Sequence, residues 1–251
     1  MEHTNETCIQ IDRLDVRFQK KHILKGICCE MPKHKITAII GESGCGKSTL
    51  LKSINRIVEE EGGRISGEIR IHDENSMDMP KEQLRKQVGL VFQTPAIFPT
   101  SIKQNMRYPL GYHYKLNARE QQEKIAHYLN LAGLYDEIKA DLNMSAAKLS
   151  GGQKQRLSIA RCLCIEPDIL MLDEPCSALD MRNTILIENL LCQLKQSISI
   201  VLVTHNISQA KRITDHVLFL EAGSLVETNN RSIFEHPKED ATRRYMQYMD
   251  E

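Results

Sequence analysis

The 251-residue chain carries no surplus charge of either sign, with 33 Lys plus Arg against 33 Asp plus Glu. No long-range field gathers polyanions to it, and this disfavours nucleic acid or an anionic lipid surface as the partner. It also has no apolar run approaching the roughly 20 residues that span a bilayer. The start, Met1-Glu2-His3-Thr4-Asn5-Glu6, lacks the basic segment and apolar stretch of a secretory leader. The expectation is a protein that stays in the cytosol. Of eight cysteines, none form a C-x-x-C pair and several sit inside apolar runs, so neither a disulfide framework nor a thiolate metal site is spelled out; packed reduced thiols are expected. No motif is repeated. A chain of this length can bury one full core, as a single domain or a domain with a subdomain.

Two segments stand out against this background. Gly41-Glu42-Ser43-Gly44-Cys45-Gly46-Lys47-Ser48-Thr49 is G-x-x-x-x-G-K-S followed by Thr. It lies after the apolar run Ile36-Thr37-Ala38-Ile39-Ile40 and before the helix-like Leu50-Leu51-Lys52-Ser53-Ile54. A strand, a glycine-permitted curl and a helix N-terminus together make a phosphate cradle. Backbone N–H groups from Gly44 to Thr49 supply donors, the Lys47 ammonium reaches β- and γ-phosphates, and the Ser48 hydroxyl suits Mg²⁺. The second segment, Leu149-Ser150-Gly151-Gly152-Gln153, is treated below.

Along the chain, Ile9 to Asp12, Val16 to Phe18 and Gly67 to Ile71 alternate apolar and polar residues, which predicts an antiparallel β subdomain. Glu59 to Gly63 reads as a polar loop, Lys81 to Gln87 as a short helix after Pro80, and Val88 to Phe92 as a buried strand ending at Gln93. From about Thr100 to Lys148 helical spacing replaces strands, with a capping-box start at Asn117 and Glu120 and a stop at Gly133. The strand–helix alternation then resumes: strand Ile169 to Leu172, helix Asn183 to Lys195, and strands Ser199 to Val203 and Val217 to Leu220. This predicts an α/β fold, a P-loop NTPase core with a mainly parallel sheet, an antiparallel β subdomain and an inserted helical subdomain. The boundaries are 1–99 and 160–251 for the core with its β subdomain, and about 100–159 for the helical part, within one domain spanning 1–251. The tail, Ser232 to Met249, is expected to be helical.

Polar residues at strand ends complete the chemical inventory. Ile169 to Leu172 runs into Asp173 and Glu174. Alone this is equally a core strand meeting an acidic turn; downstream of a phosphate cradle, Asp173 is suited to the Mg²⁺ shell and Glu174 to polarising an attacking water. Gln93 is placed to touch both metal and water. His205, after strand Ser199 to Val203, lies where open α/β sheets bind ligands, although a lone histidine there is as readily a cap.

Leu149-Ser150-Gly151-Gly152-Gln153, followed by Lys154-Gln155-Arg156-Leu157-Ser158-Ile159-Ala160-Arg161, resembles the signature of ATP-binding cassette (ABC) ATPases. Phe18, the cradle at 41 to 49, Gln93, Asp173-Glu174, Ser177-Ala178-Leu179-Asp180 and His205 follow the family's order across nearly the whole chain. The resemblance implies that Phe18 stacks on adenine, that Glu174, His205 and Gln93 are catalytic, and that Ser48, Gln93 and Asp173 surround Mg²⁺. It further implies that Ser150, Gly151, Gly152 and Gln153 complete the site of a second copy bound head to tail, with Asp180 reporting across the seam. ATP and Mg²⁺ are the implied cofactors. Two transmembrane permease subunits are the implied partners, with an extracytoplasmic solute-binding protein acting indirectly.

Val91-Phe92-Gln93-Thr94-Pro95, Phe98 to Asn105, Asp173 to Asp180 with Cys176, Val203-Thr204-His205-Asn206 and Phe234-Glu235-His236-Pro237 are similar to the ATPase subunits of bacterial phosphate importers. There the segment Phe98 to Asn105 is expected to contact a short cytoplasmic helix of the permease. Met181, Thr94 and Gln19 depart from the family's common proline, basic residue and glycine. An ATPase of an importer for another solute, a separate exporter ATPase, and a soluble cassette protein are the alternatives; long heptad arms and a second cradle, marks of soluble types, do not occur.

Overall fold

The computed structural model describes residues 7–250; the leader reading of Met1 to Glu6 lies outside them. The chain begins with a long hairpin, β1 (Thr7–Phe18) and β2 (Lys21–Pro32), followed by β3 (Ile36–Ile40), α1 (Lys47–Ile54) and α2 (Ile57–Glu60). Next come β4 (Gly63–Ile71), β5 (Glu74–Asn75), α3 (Lys81–Gln87) and β6 (Val88–Val91). Four helices, α4 (Ile102–His113), α5 (Ala118–Leu131), α6 (Tyr135–Ile138) and α7 (Gly151–Leu163), separate β6 from β7 (Ile169–Asp173). The chain closes with α8 (Met181–Leu194), β8 (Ser199–Val203), α9 (Ile207–Ile213), β9 (His216–Glu221), β10 (Ser224–Asn230) and α10 (Asp240–Asp250).

The two short alternating runs near the start prove to be one strand. Ile9 and Ile11 are buried, then Leu14 and Val16, so the inward phase slips by one residue. The ladder shifts at that point, and Arg13 adopts φ 46. A bulge absorbs the extra residue and keeps every apolar side chain on the core face. β1 is sandwiched between β2 and β4 in an antiparallel sheet of order β2-β1-β4-β5.

The second sheet has order β10-β9-β3-β8-β7-β6, in which β9, β3, β8, β7 and β6 run parallel and β10 is antiparallel to β9. Every residue of β3, β7 and β8 is buried, as expected for strands covered on both faces. Alternation divides them. Leu170, Leu172, Ile200 and Leu202 join the cluster under α4, α5, α7 and α8, whereas Ile39, Met171, Val201 and Val203 join the one shared with α1 and the antiparallel sheet.

Local signals account for several boundaries. Asn117 Oδ1 accepts from the N–H groups of Arg119 and Glu120 at 3.0 Å, and Glu120 Oε2 accepts from Asn117 N–H at 2.9 Å, closing the capping box. After α5 the N–H of Gly133 donates to Asn130 O at 2.8 Å and that of Leu134 to Leu129 O at 2.9 Å, so the helix stops there. Two expectations require correction. Glu59 and Glu60 belong to α2 rather than to a loop, because they pair with Arg56, Lys81 and Arg85. The tail is not one helix: a short turn, Arg231–Phe234, and α10 are separated by Glu235 to Glu239. Pro237 offers no N–H there, and the Glu227 carboxylate accepts from Lys238 and Glu239 N–H, each at 3.1 Å, to start α10 afresh.

Asn105 ties the segment before α4 to the helical region. It is fully buried; Oδ1 accepts from Phe98 N–H at 3.0 Å and from Arg161 at 3.3 Å, and Nδ2 donates to Phe98 O at 3.1 Å, Ser101 O at 3.0 Å and the Thr100 hydroxyl at 3.2 Å. Truncation removes five partly buried bonds at once and leaves a cavity at a fully buried position. Asn105→Ala is expected to lower unfolding free energy by roughly 2–4 kcal/mol. Equilibrium urea denaturation followed by circular dichroism measures this, and an unshifted midpoint contradicts the assignment.

Candidate functional site

The cradle forms where β3 meets the antiparallel sheet. Gly41 has φ 145, and a Cβ there would lie 2.1 Å from the carbonyl oxygen of Leu220, so the loop reaches β9 only because this position is glycine. Gly46, at φ 110, precedes α1 without a side-chain cap, which leaves the helix's first N–H groups aimed into the curl. Lys47 is buried and its Nζ donates to the carbonyls of Gly41 and Glu42, both at 2.8 Å. Both acceptors are neutral, so the ammonium charge remains for an anion. Glu42, Ser43 and Gly44 are exposed on the rim, Thr49 is half-buried, and Cys45 is buried against Gly41, where desolvation pushes its thiol up.

A hydroxyl and a carboxylate converge beside the cradle. Ser48 Oγ donates to Asp173 Oδ1 at 2.9 Å. Asp173 ends β7 and is buried; desolvation pushes its carboxyl above the usual range, an effect that the Ser48 bond partly offsets and the neighbouring Glu174 reinforces. Ionising it in this place costs free energy that a cation on the same oxygens would return. Among the described residues no three His, Cys, Asp or Glu side chains gather as a metal cluster. The hard oxygen donors Ser48 and Asp173, completed by ligand phosphate and water, are the kind of set that holds Mg²⁺.

Glu174 collects the next shell of contacts. Its Oε2 accepts from Gln93 Nε2 and lies against His205 Nδ1, both at 3.0 Å. Glu174 adopts φ 45, a left-handed conformation that costs a non-glycine residue about 1–2 kcal/mol, while its own N–H donates to Val203 O at 2.9 Å. Gln93, Glu174 and His205 thus follow three adjacent parallel strands, β6, β7 and β8, at their carboxyl ends. A cavity of about 390 Å³ opens beside Glu174, lined in part by Ser177, Thr204, His205 and Arg212.

The signature segment occupies a different surface. Ser150 caps α7: its Oγ accepts from Gln153 N–H at 3.3 Å, and Gln153 Oε1 accepts from Ser150 N–H at 2.9 Å. Ser150 and Gly151 are exposed, Gln153 is half-exposed and Gly152 is buried. Asp180 caps α8, and the backbone N–H of Asn183 at 2.8 Å holds its carboxyl below the ordinary range. Phe18 is half-buried at the end of β1, its ring edge 2.9 Å from where a Cβ on Gly63 would lie.

One chain therefore brings Ser48 to Asp173, and Gln93 and His205 to Glu174. Among the described residues no hydrogen bond joins these groups to Ser150, Gly151, Gly152, Gln153 or Asp180. Two supporting residues escaped the sequence reading of the site. Ser177 takes a 3.4 Å bond from Gln93 Nε2; it lies three residues past Glu174, which was the available signal. Tyr245, on α10, is buried near Gly41 behind the cradle, and burial raises its phenol to about 12. No local pattern marks it.

Comparison with known proteins places this geometry. Residues 24–177 match the ABC transporter family. The chain is 44% identical over 247 residues to the phosphate import ATP-binding protein PstB 1 of Vibrio cholerae serotype O1, covering 96% of this chain and 90% of that protein. Among solved structures it resembles CbiO1 from Clostridium perfringens, part of the ABC transporter complex CbiONQ, with TM-score 0.81 and 27% identity over 98% of this chain and 100% of that one. It also resembles the dimeric post-hydrolysis state of the ATP-binding cassette MJ0796 bound to ADP and Pi, with TM-score 0.78 and 26% identity over 89% of this chain and 98% of that one. With the family's cradle, signature and strand-end carboxylates all in place, the chain belongs to the ABC transporter family as one of its ATP-binding cassettes.

Proposed function

We propose that this chain is the ATP-hydrolysing subunit of an importer for inorganic phosphate, working as a head-to-tail pair beneath two membrane permease subunits. The observation that carries the ATPase reading is the convergence of Gln93 and His205 on Glu174 Oε2, next to a cradle whose Ser48 is bonded to Asp173. Similarity to PstB 1 over nearly the full length supports phosphate as the solute.

Each residue has a role in this scheme. Phe18 stacks on adenine. The N–H groups of residues 41 to 49 and the Lys47 ammonium hold the β- and γ-phosphates. Ser48, Asp173 and Gln93 hold Mg²⁺, which supplies charge neutralisation when bound. Glu174 orients and polarises water, and His205 keeps that water and the γ-phosphate aligned. Because Ser150 and Gly151 are exposed and the signature turn is not bonded to the chain's own cradle among the described hydrogen bonds, a second copy presents this turn to the nucleotide, its α7 N-terminus facing the γ-phosphate. ATP then bridges the two copies, its hydrolysis removes the bridge, and Asp180 couples the two sites.

The permease is taken to dock where Phe92, Phe98 and Tyr108 line a cavity of about 280 Å³ with Arg161 and Cys162. These three aromatics are 37%, 42% and 65% exposed, an apolar face fit for a short helix. Phosphate contacts the permease and an extracytoplasmic binding protein, not the cassette, which sits on the cytoplasmic face. The helical part, about 100–159, is the unit that moves against the core of 1–99 and 160–251.

Three outcomes are expected. Glu174→Gln retains ATP binding, loses turnover by roughly a hundredfold or more, and accumulates an ATP-dependent dimer at high protein concentration; phosphate-release assays and sedimentation measure this, and turnover at the wild-type rate refutes the role of Glu174. Asp173→Asn raises the melting temperature of the nucleotide-free chain, because a carboxyl whose folded pKa is raised destabilises the fold above that pKa, and at the same time abolishes the further stabilisation by Mg²⁺ with ATP. A lowered melting temperature without nucleotide contradicts it. Reconstituted with its permease in vesicles, the chain hydrolyses ATP faster when phosphate and its binding protein are supplied; stimulation by an amino acid or a metal instead overturns the phosphate assignment.

A further inference from the structure

Between the signature serine and Asp180 runs an unbroken series of polar contacts. Gln153 Nε2, on the residue that boxes Ser150, donates to Glu137 Oε2 at 3.0 Å. Glu137 is held bidentately by Arg156, NH1 to Oε1 at 2.8 Å and NH2 to Oε2 at 3.0 Å, and this pairing, ahead of its desolvation, keeps the Glu137 carboxyl low. Arg156 NH2 also donates to Asn183 Oδ1 at 3.4 Å, and Asn183 Nδ2 donates to Asp180 Oδ2 at 2.8 Å. Arg156 is only 2% exposed and donates besides to the Gly133 carbonyl, so its guanidinium has little freedom to move. The packing agrees. A Cβ on Gly152 would lie 2.5 Å from the Asn183 side chain, so the start of α7 rests directly on the start of α8.

We propose that Asn183, Arg156 and Glu137 are positioning residues that set the signature turn against the Asp180 turn. This rests on the shared-site reading above: the surface that caps the partner's nucleotide is then placed relative to the residue that senses the seam. Asn183 is the joint. It accepts from the signature side with its oxygen and donates to the Asp180 side with its nitrogen, so one amide makes both bonds. None of the three residues contacts the chain's own cradle among the described hydrogen bonds, so the relay acts on the partner's site and leaves the chain's own nucleotide affinity alone.

The test compares Asn183→Ala, Glu137→Gln, the double variant and Asn183→Asp with wild type and Ser150→Ala. Affinity for a fluorescent ATP analogue, kcat and KM for ATP, and ATP-driven dimerisation in a Glu174→Gln background are measured for each. Asn183→Ala and Glu137→Gln are expected to keep analogue affinity within about twofold, to lower kcat roughly tenfold or more through misplacement of the signature turn, and to require more protein for dimerisation. The double variant loses no more than the worse single one, because both break the same series of contacts. Asn183→Asp, the same size and still an acceptor for Arg156, sets a carboxylate against Asp180 and is expected to lower kcat at least as far as Asn183→Ala does while leaving analogue affinity alone. Wild-type kcat in both single variants, losses that multiply in the double variant, or wild-type kcat for Asn183→Asp overturns the relay. If Ser150→Ala also turns over normally, the shared-site reading fails; if Ser150→Ala is crippled while the others are not, only the relay fails.

Discussion

The bond from Glu174 N–H to Val203 O, at 2.9 Å, is the interaction on which the site turns. It carries the pairing of β7 with β8 one residue past the end of β7, at a position where φ 45 rotates the next side chain out of the sheet's alternation. Asp173 stays buried beside Ser48, and Glu174 swings toward His205 and Gln93. Two consecutive carboxylates thereby enter different environments, one desolvated and next to the cradle, the other shared between an amide and an imidazole. A regular strand end would have sent them to opposite faces of the sheet without this division.

That bond is in turn held by burial. β3, β7 and β8 have no exposed residue, and their two sets of side chains feed separate clusters on the two faces. Parallel pairing then brings the carboxyl ends of β3, β6, β7 and β8 to one edge. Cradle, Gln93, Glu174 and His205 meet there because parallel strands in register end on the same side of the sheet. The cradle has support from behind as well: Gly41 fits against Leu220 O, and Tyr245 on α10 is buried near it.

The helical region obeys a different logic. Polar bonds add to its apolar cluster, with Asn105 tying the segment at Phe98 to Arg161, and Arg156 tying Glu137 to Asn183. Directional bonds of this kind hold a surface in one shape.

Much of the site was legible in the linear order of residues. Gly41 to Thr49 needs only a preceding strand and a following helix, Asn117 with Glu120 and Ser150 with Gln153 are bonds between residues three apart, and strands buried on both faces announce themselves as unbroken apolar runs. These features rest on interactions within a few residues, which sequence by itself determines. Tertiary structure alone decided the rest. It merged two alternating runs into β1 through a bulge at Arg13, capped α10 from Glu227 eleven residues upstream, set Tyr245 behind the cradle and joined Glu137, Arg156 and Asn183 into one series. Each of those contacts links residues distant along the chain, and their partners become neighbours only after the two apolar faces of the parallel sheet have been covered.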